Sequence, residues 1–233
     1  MSKVIVDYRI DNEEKSSLES LGYDVLICPP NSILYDAVCG HPDMLMHIID
    51  HETIIVHKDM EKEFVHKLCS YGYNVIFSNF PLEASYPGDV ALNAVNMPNI
   101  FIHNLKHTDK ILLEAVNSKK LITVKQGYTK CSTAIVSENA VMTSDSGIGN
   151  AFKKEGFDVL LLPPGDIVLP GLNYGFIGGC CGLLKEGQLA FYGDLNYYTY
   201  KNEVLDFLNK HKVKPVFLRK GKLVDRGSIL TLG

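Results

Sequence analysis

The same grammar returns four times along this chain: a polar or glycine-containing lead-in, an apolar strand, a turn, a second apolar strand, a helix of two to three turns and a closing strand. Such self-similarity constrains the fold more than any single motif, because each unit can bury its apolar face only against its neighbours. The first unit leads in at Gly40-His41-Pro42-Asp43 and continues as a strand from Met44 to Ile49. It turns at Asp50-His51-Glu52, returns along Thr53 to Val56, turns helical over about 61–71 and closes at Tyr73 to Phe77. The second leads in at Tyr86-Pro87-Gly88-Asp89, turns at Asn96-Met97-Pro98, returns along Asn99 to Ile102, and has its helix over about 108–117 and its last strand at Leu121 to Val124. Asp43 precedes Thr53, and Asp89 precedes Asn99, by the same offset, which predicts equivalent places for the two aspartates.

The third unit leads in at Gln126 to Ser132, returns along Ala140 to Thr143 and enters its helix through Ser144-Asp145-Ser146, oxygens suited to capping it, before Gly156 stops it. The fourth leads in at Gly175 to Gly182, returns along Gln188 to Tyr192, and ends with a helix over about 200–211 and a strand from Val213 to Leu218. The chain ends supply a fifth unit. Lys3 to Tyr8 is a strand, Asn12 to Leu21 a helix and Tyr23 to Ile27 a strand, but the opening hairpin strand is missing. Arg226 to Leu232 is apolar and otherwise unused, so pairing it with the first strand completes the unit and shuts a ring. A closed ring leaves no sheet edge open to other chains. The expectation is one α/β domain over 1–233, built from five ββαβ repeats.

With 46% hydrophobic and 21% charged residues, the chain can bury a substantial core. A formal net charge of −4 gives no electrostatic reason to expect nucleic acid. The basic tail residues Lys210, Lys212, Lys214, Arg219, Lys220 and Lys222 read as a solvated helix end and strand edge. The start Met1-Ser2-Lys3 runs straight into a strand with no apolar leader, and no apolar run is long enough for a membrane helix, so no membrane partner is expected. Six irregularly spaced cysteines read as reduced thiols in a cytoplasm.

The repeat order, with its last strand borrowed from the carboxyl terminus, resembles the pentein fold, an α/β propeller with pseudo-five-fold symmetry. That fold is shared by arginine deiminase, agmatine deiminase, dimethylarginine dimethylaminohydrolase and a ribosome anti-association factor. The local likeness is to dimethylarginine dimethylaminohydrolase: His41-Pro42-Asp43 resembles its Pro-Asp lead-in, Pro87-Gly88-Asp89-Val90 its Gly-Gly-Asp-Val, and Tyr128-Thr129-Lys130-Cys131-Ser132 its His-Leu-Lys followed by Cys-Ser. In that family carboxylates grip a guanidinium, a histidine serves as acid and base, and a cysteine attacks the guanidino carbon. The resemblance implies cation-binding roles for Asp89 and Asp43. It puts Tyr128 at the histidine position, where a phenol is a poor base at neutral pH. It puts Arg226-Gly227-Ser228 at the nucleophile position, without a cysteine. An arginine there would repel a guanidinium and favour a carboxylate or phosphate.

Two thiols are weighed as substitutes for the missing nucleophile. Cys131 stands beside Lys130, which would lower its pKa, and its hairpin should overlook a central channel. Cys180, in Gly178-Gly179-Cys180-Cys181-Gly182, lies where a backbone or a ligand can approach closely, although small residues packed on a crowded strand explain it as well. The glycine-rich run Gly171 to Gly182 lacks the spacings of nucleotide-binding loops. His41, Asp43 and His47 share parity on the expected strand and would suit a divalent ion if they faced the channel, but packing explains His47 more cheaply. No metal and no cofactor is expected.

Five equivalent hairpins pointing at one axis should bring together His41, Asp43, Asp89, Asn93, Lys125, Tyr128, Lys130, Cys131 and Arg226. A convergent polar set of this kind fits a polar small molecule carrying an amine, amidine or carboxylate. Catalysis there would be C–N hydrolysis or group transfer, with Cys131 or Cys180 attacking and Asp43, Asp89 and His41 positioning. The rival reading is a non-enzymatic pentein acting through its surface, as the ribosome factor does, favoured by a length that leaves no room for lids.

Overall fold

In the computed structural model, residues 2–232 are described, so Met1 and Gly233, the two ends of the expected domain, lie outside the described residues. The elements run β1 (Lys3–Asp7), α1 (Asn12–Ser20), β2 (Asp24–Cys28), α2 (Pro42–Leu45), β3 (Met46–Ile48), β4 (Thr53–Val56), α3 (Lys62–Ser70) and β5 (Asn74–Phe77). They continue with β6 (Val95–Asn96), β7 (Ile100–His103), α4 (Lys110–Ala115), β8 (Lys120–Thr123), β9 (Thr133–Ser137), β10 (Ala140–Thr143), α5 (Ser146–Lys154) and β11 (Asp158–Leu161). The last are β12 (Cys181–Lys185), β13 (Gln188–Phe191), α6 (Lys201–Lys210), β14 (Lys214–Phe217) and β15 (Leu230–Leu232).

These strands form five three-stranded sheets, each with one antiparallel strand pair and one parallel strand reached through a helix. The helices follow from their ends. Asp11 caps α1, its side chain accepting from the Glu14 N–H at 2.8 Å while Glu14 accepts from the Asp11 N–H at 3.2 Å. Asp145 caps α5 through the Ile148 N–H at 2.8 Å, as the capping oxygens at its start predicted.

β15 pairs antiparallel with β1, in the register Lys3 to Leu232 and Ile5 to Leu230, which supplies the strand missing from the first unit. Backbone hydrogen bonds then run from unit to unit around the ring. Asp43 N–H donates to the Gly227 carbonyl, Lys130 N–H to Asn93, Gly179 N–H to Cys131, and Ile229 N–H to Cys181. The first strands of all five sheets line one central channel, contributing Met46, Asn96, Ile135, Leu183 and Thr231 among others. The fold is the pentein fold.

Two expectations about the hairpins are corrected. Residues 42–45 form one helical turn, not the start of a strand, so His41, Asp43 and His47 do not share a face. The aspartates are also not equivalent. Met46 pairs with Val56, whereas Val95 pairs with Ile102, one residue short of His103 at the end of its strand. The second hairpin's turn is one residue shorter, so equal offsets from the returning strands place Asp89 and Asp43 differently. Among the described residues, no helix is long and apolar enough to cross a membrane, and none of the six cysteines is in a disulfide.

Candidate functional site

Midway along the channel a buried polar partition separates two chambers. Its organiser is Asn93, whose side-chain oxygen accepts the backbone N–H groups of Lys130 and Cys131 at 2.9 and 3.2 Å. Its amide donates to the Asp43 carbonyl and to the Cys131 sulfur, both at 3.0 Å. The Cys131 thiol points its proton at Asp43, with Sγ 3.2 and 3.3 Å from the two carboxylate oxygens. Ser228 bridges the charges: Lys130 Nζ donates to its Oγ at 2.9 Å, and that Oγ lies 2.6 Å from Asp43 Oδ2.

On the hairpin side, a cavity of about 400 Å³ is walled mainly by aliphatic side chains. Its cations already have partners, Lys119 on Asn96 and the Met97 carbonyl and Lys130 on Ser228. His47 is tied there as a neutral ring, its Nδ1 donating to the Leu92 carbonyl at 3.1 Å, with burial lowering its pKa to about 3.

The other chamber, about 240 Å³, has His41, Cys131 and Asp225 in its lining and aromatic walls of Tyr35, Tyr128, Tyr174 and Phe176. Tyr128 and Phe176 stack with ring centroids 6.3 Å apart, Tyr86 backing the first at 5.7 Å and Tyr174 meeting the second edge-on at 6.4 Å. Tyr35 and Val38 come from the segment between β2 and α2, and Leu169, Leu172, Tyr174 and Phe176 from the segment between β11 and β12. These two segments supply much of the chamber's wall.

His41 is the unusual group here. Its ring is 1% exposed and lies between carboxylates, Nε2 being 3.9 Å from Asp7 and Nδ1 3.8 Å from Asp225. Neither nitrogen has a hydrogen-bond partner. Asp7 is answered by Arg9, which chelates it through Nε at 2.8 Å and through Nη2. Asp43 is answered by Lys130 through Ser228. Among the described residues, Asp225 receives hydrogen bonds only from the backbone N–H groups of Phe176 and Gly227, at 2.8 and 3.0 Å, and burial raises its pKa. Ligand atoms of His41, Asp43 and Cys131 all lie within 4.8 Å of one another.

Of the residues singled out from the sequence, His41, Asp43, Asn93, Tyr128, Lys130 and Cys131 meet at the partition or in the aromatic chamber. Asp89 stands behind Tyr128, whose hydroxyl donates to it at 2.6 Å. Burial raises the pKa of both groups, and the mutual hydrogen bond raises the phenol's further. Three placements are corrected. Lys125 is exposed on the outer surface, where its carbonyl accepts from Asn104. Arg226 turns away from the channel, its guanidinium 2.9 Å from Glu14 and donating to the Arg9 carbonyl at 2.6 Å, so it cannot select an anion there. Cys180 is fully buried in an apolar cluster, pointing at the Ile177 carbonyl, and lines neither chamber. The activation expected for Cys131 is also reversed, since burial and the neighbouring carboxylates push its pKa well up while Lys130 is spent on Ser228. Sequence reasoning missed Asp7, Arg9, Asp225 and the aromatic walls other than Tyr128, namely Tyr35, Tyr174 and Phe176. The available signal was an aspartate ending a buried apolar run, after Val4 to Val6 and after Leu223-Val224.

Similar solved structures share this architecture. An inosamine-phosphate amidinotransferase from Streptomyces griseus matches with a TM-score of 0.63 at 12% identity, over 94% of this chain and 88% of that one. An amidinotransferase of saxitoxin biosynthesis from Microseira wollei matches at 0.59 and 11%, over 93% and 88%. Dimethylarginine dimethylaminohydrolase from Pseudomonas aeruginosa, in a mutant form complexed with citrulline, matches at 0.55 and 8%, over 93% and 92%. At these identities the likeness establishes the fold, which makes the chain a pentein. Within that fold it belongs to a family of unknown function (DUF6873), which it matches over residues 5–230. A search of the curated proteins returns no match.

Proposed function

We propose that this pentein binds a small molecule bearing an ammonium, amidinium or guanidinium group in the aromatic chamber, with the cation on Asp225. The observation that carries this reading is the charge pairing. Asp7 and Asp43 are answered by Arg9 and Lys130, whereas among the described residues the buried Asp225 has no lysine or arginine partner and only the His41 ring, 3.8 Å away, beside it. A buried carboxylate stays charged at low cost only if a cation joins it. The faces of Tyr128 and Phe176 add cation–π attraction, worth roughly 0.5–2 kcal/mol.

Thermal unfolding against amines, amidines, guanidines and simple carboxylates tests the reading. A ligand at 100 times its Kd adds about 2.7 kcal/mol, which for a chain of this length raises the midpoint by about 5–10 °C. Cationic compounds should give that shift and Asp225→Asn should remove it. A flat panel would sink the reading and favour a protein acting through its surface.

A second reading adds turnover, favoured by one observation: Cys131 opens onto the same chamber with Asp43 3.2 Å away to take its proton. In that step the sulfur bonds to the amidine or guanidine carbon, the thiol proton passes by way of Asp43 to the leaving nitrogen as the C–N bond breaks and the amine departs, and water then cleaves the C–S bond and returns the proton to the thiol. Amine release that is abolished in Cys131→Ala while ligand binding persists supports it. Wild-type protein that binds without releasing amine rejects it.

A further inference from the structure

We propose that His41, Asp43 and Cys131 form a binding site for a zinc-like divalent transition metal on the chamber side of the partition, which goes beyond the cation reading above. The starting point is His41, an imidazole 1% exposed with neither nitrogen hydrogen-bonded. Buried polar groups in folded proteins almost always have partners, so a fully sequestered ring with two unused nitrogens is a ligand in waiting. It is not an isolated oddity. A ring nitrogen of His41, the Cys131 sulfur and an Asp43 oxygen lie within 4.8 Å of one another, and all three residues are buried.

The donor set identifies the class of ion. One nitrogen, one sulfur and one carboxylate oxygen suit zinc or cobalt, while magnesium and calcium prefer oxygen alone. Tetrahedral coordination needs donor atoms ~3.5 Å apart, so a shift of about 1 Å in the His41 ring closes the site around an ion. Cys131 and Asp43 are already 3.2 Å apart. As the sulfur coordinates, the S–H bond breaks, the metal–sulfur bond forms and the proton leaves to solvent. The surroundings supply the outer layer that metal sites require: Asp225 lies 3.8 Å from His41 Nδ1, Ser228 donates to Asp43, and Asn93 donates to the Cys131 sulfur. The aromatic chamber gives the route in, and it leaves the fourth position open to a water or a ligand atom.

Cobalt(II) titration of the purified full-length protein tests the site, because a cysteine-bound cobalt shows a sulfur-to-metal charge-transfer band that free cobalt lacks. The expected result is one equivalent bound with that band present. Cys131→Ser should lose the band, His41→Ala should weaken binding about tenfold or more, and Cys69→Ala, at an exposed thiol, should leave it intact. Should His41→Ala fail to fold, wild type and the near-isosteric Cys131→Ser still decide. Absence of the band in wild type, or its survival in Cys131→Ser, overturns the proposal. Neither outcome depends on amines or guanidines binding at Asp225.

Discussion

His47, His57 and His103 are held as neutral rings, and burial sets their pKa values at about 3, 4 and 4. His103 shows how: the Gly127 carbonyl, which can only accept, fixes a proton on Nε2 at 2.9 Å and leaves Nδ1 to accept from Thr108 at 2.7 Å. Because the folded pKa lies below the unfolded value near 6.5, the unfolded chain binds more protons between those values. The stability from each ring is therefore complete above about pH 6.5 and is lost as pH falls, by about 3 kcal/mol for His57 or His103 at pH 4. Asp89 and Asp225, raised by desolvation, act in the opposite sense. Denaturant unfolding across this window should show His103→Gln with a shallower loss than wild type; an unchanged slope would mean the ring is not the titrating group. At this scale the sequence misled most where neighbours diverge. Asp225 and Arg226 are adjacent, yet one faces the chamber and the other faces Glu14. Residue type and position along the chain do not reveal which of two neighbours points inward in an irregular segment where Gly227, at φ 66°, turns the backbone beside them.

At the scale of elements, repeat order, helix spans and strand pairs were legible because they follow apolar periodicity, and α3, β4 and β10 fall within a residue or two of where the sequence puts them. The helical turn α2 was not, since His41-Pro42-Asp43-Met44 carries no periodic signal of its own. Its consequence is functional: winding 42–45 swings Asp43 toward Cys131 and leaves His47 in the other chamber. The glycine-rich run is only partly strand, but its role as a place of close approach holds. At Gly182 on β12 an added Cβ would sit 2.1 Å from the carbonyl oxygen of Ile229, the residue before β15, where the ring closes. Gly182→Ala should cost about 1–3 kcal/mol or more. Gly149→Ala, in α5 with only ordinary contacts beyond 3.4 Å, should gain about 0.5–1 kcal/mol. Chemical denaturation of both variants checks the pair, and equal effects would contradict the crowding at the seam.

For the molecule as a whole, the ring makes one channel and the polar partition makes two chambers of it, and a carboxylate without a lysine or arginine partner, Asp225, lines the aromatic one. Five first strands reaching a common axis were foreseeable from the repeats. The partition's bonds were not, because they join residues from four different units, Asp43, Asn93, Cys131 and Ser228, whose side chains meet only once the ring has closed. The same closure explains why the carboxylates differ in partners although their sequence settings look alike. A crystal structure of the protein soaked with agmatine tests whether Asp225 holds a cation. A cationic group of the ligand should lie within about 3 Å of an Asp225 oxygen, between Tyr128 and Phe176. Agmatine bound instead in the hairpin-side chamber, or an empty aromatic chamber at saturating ligand, would contradict it.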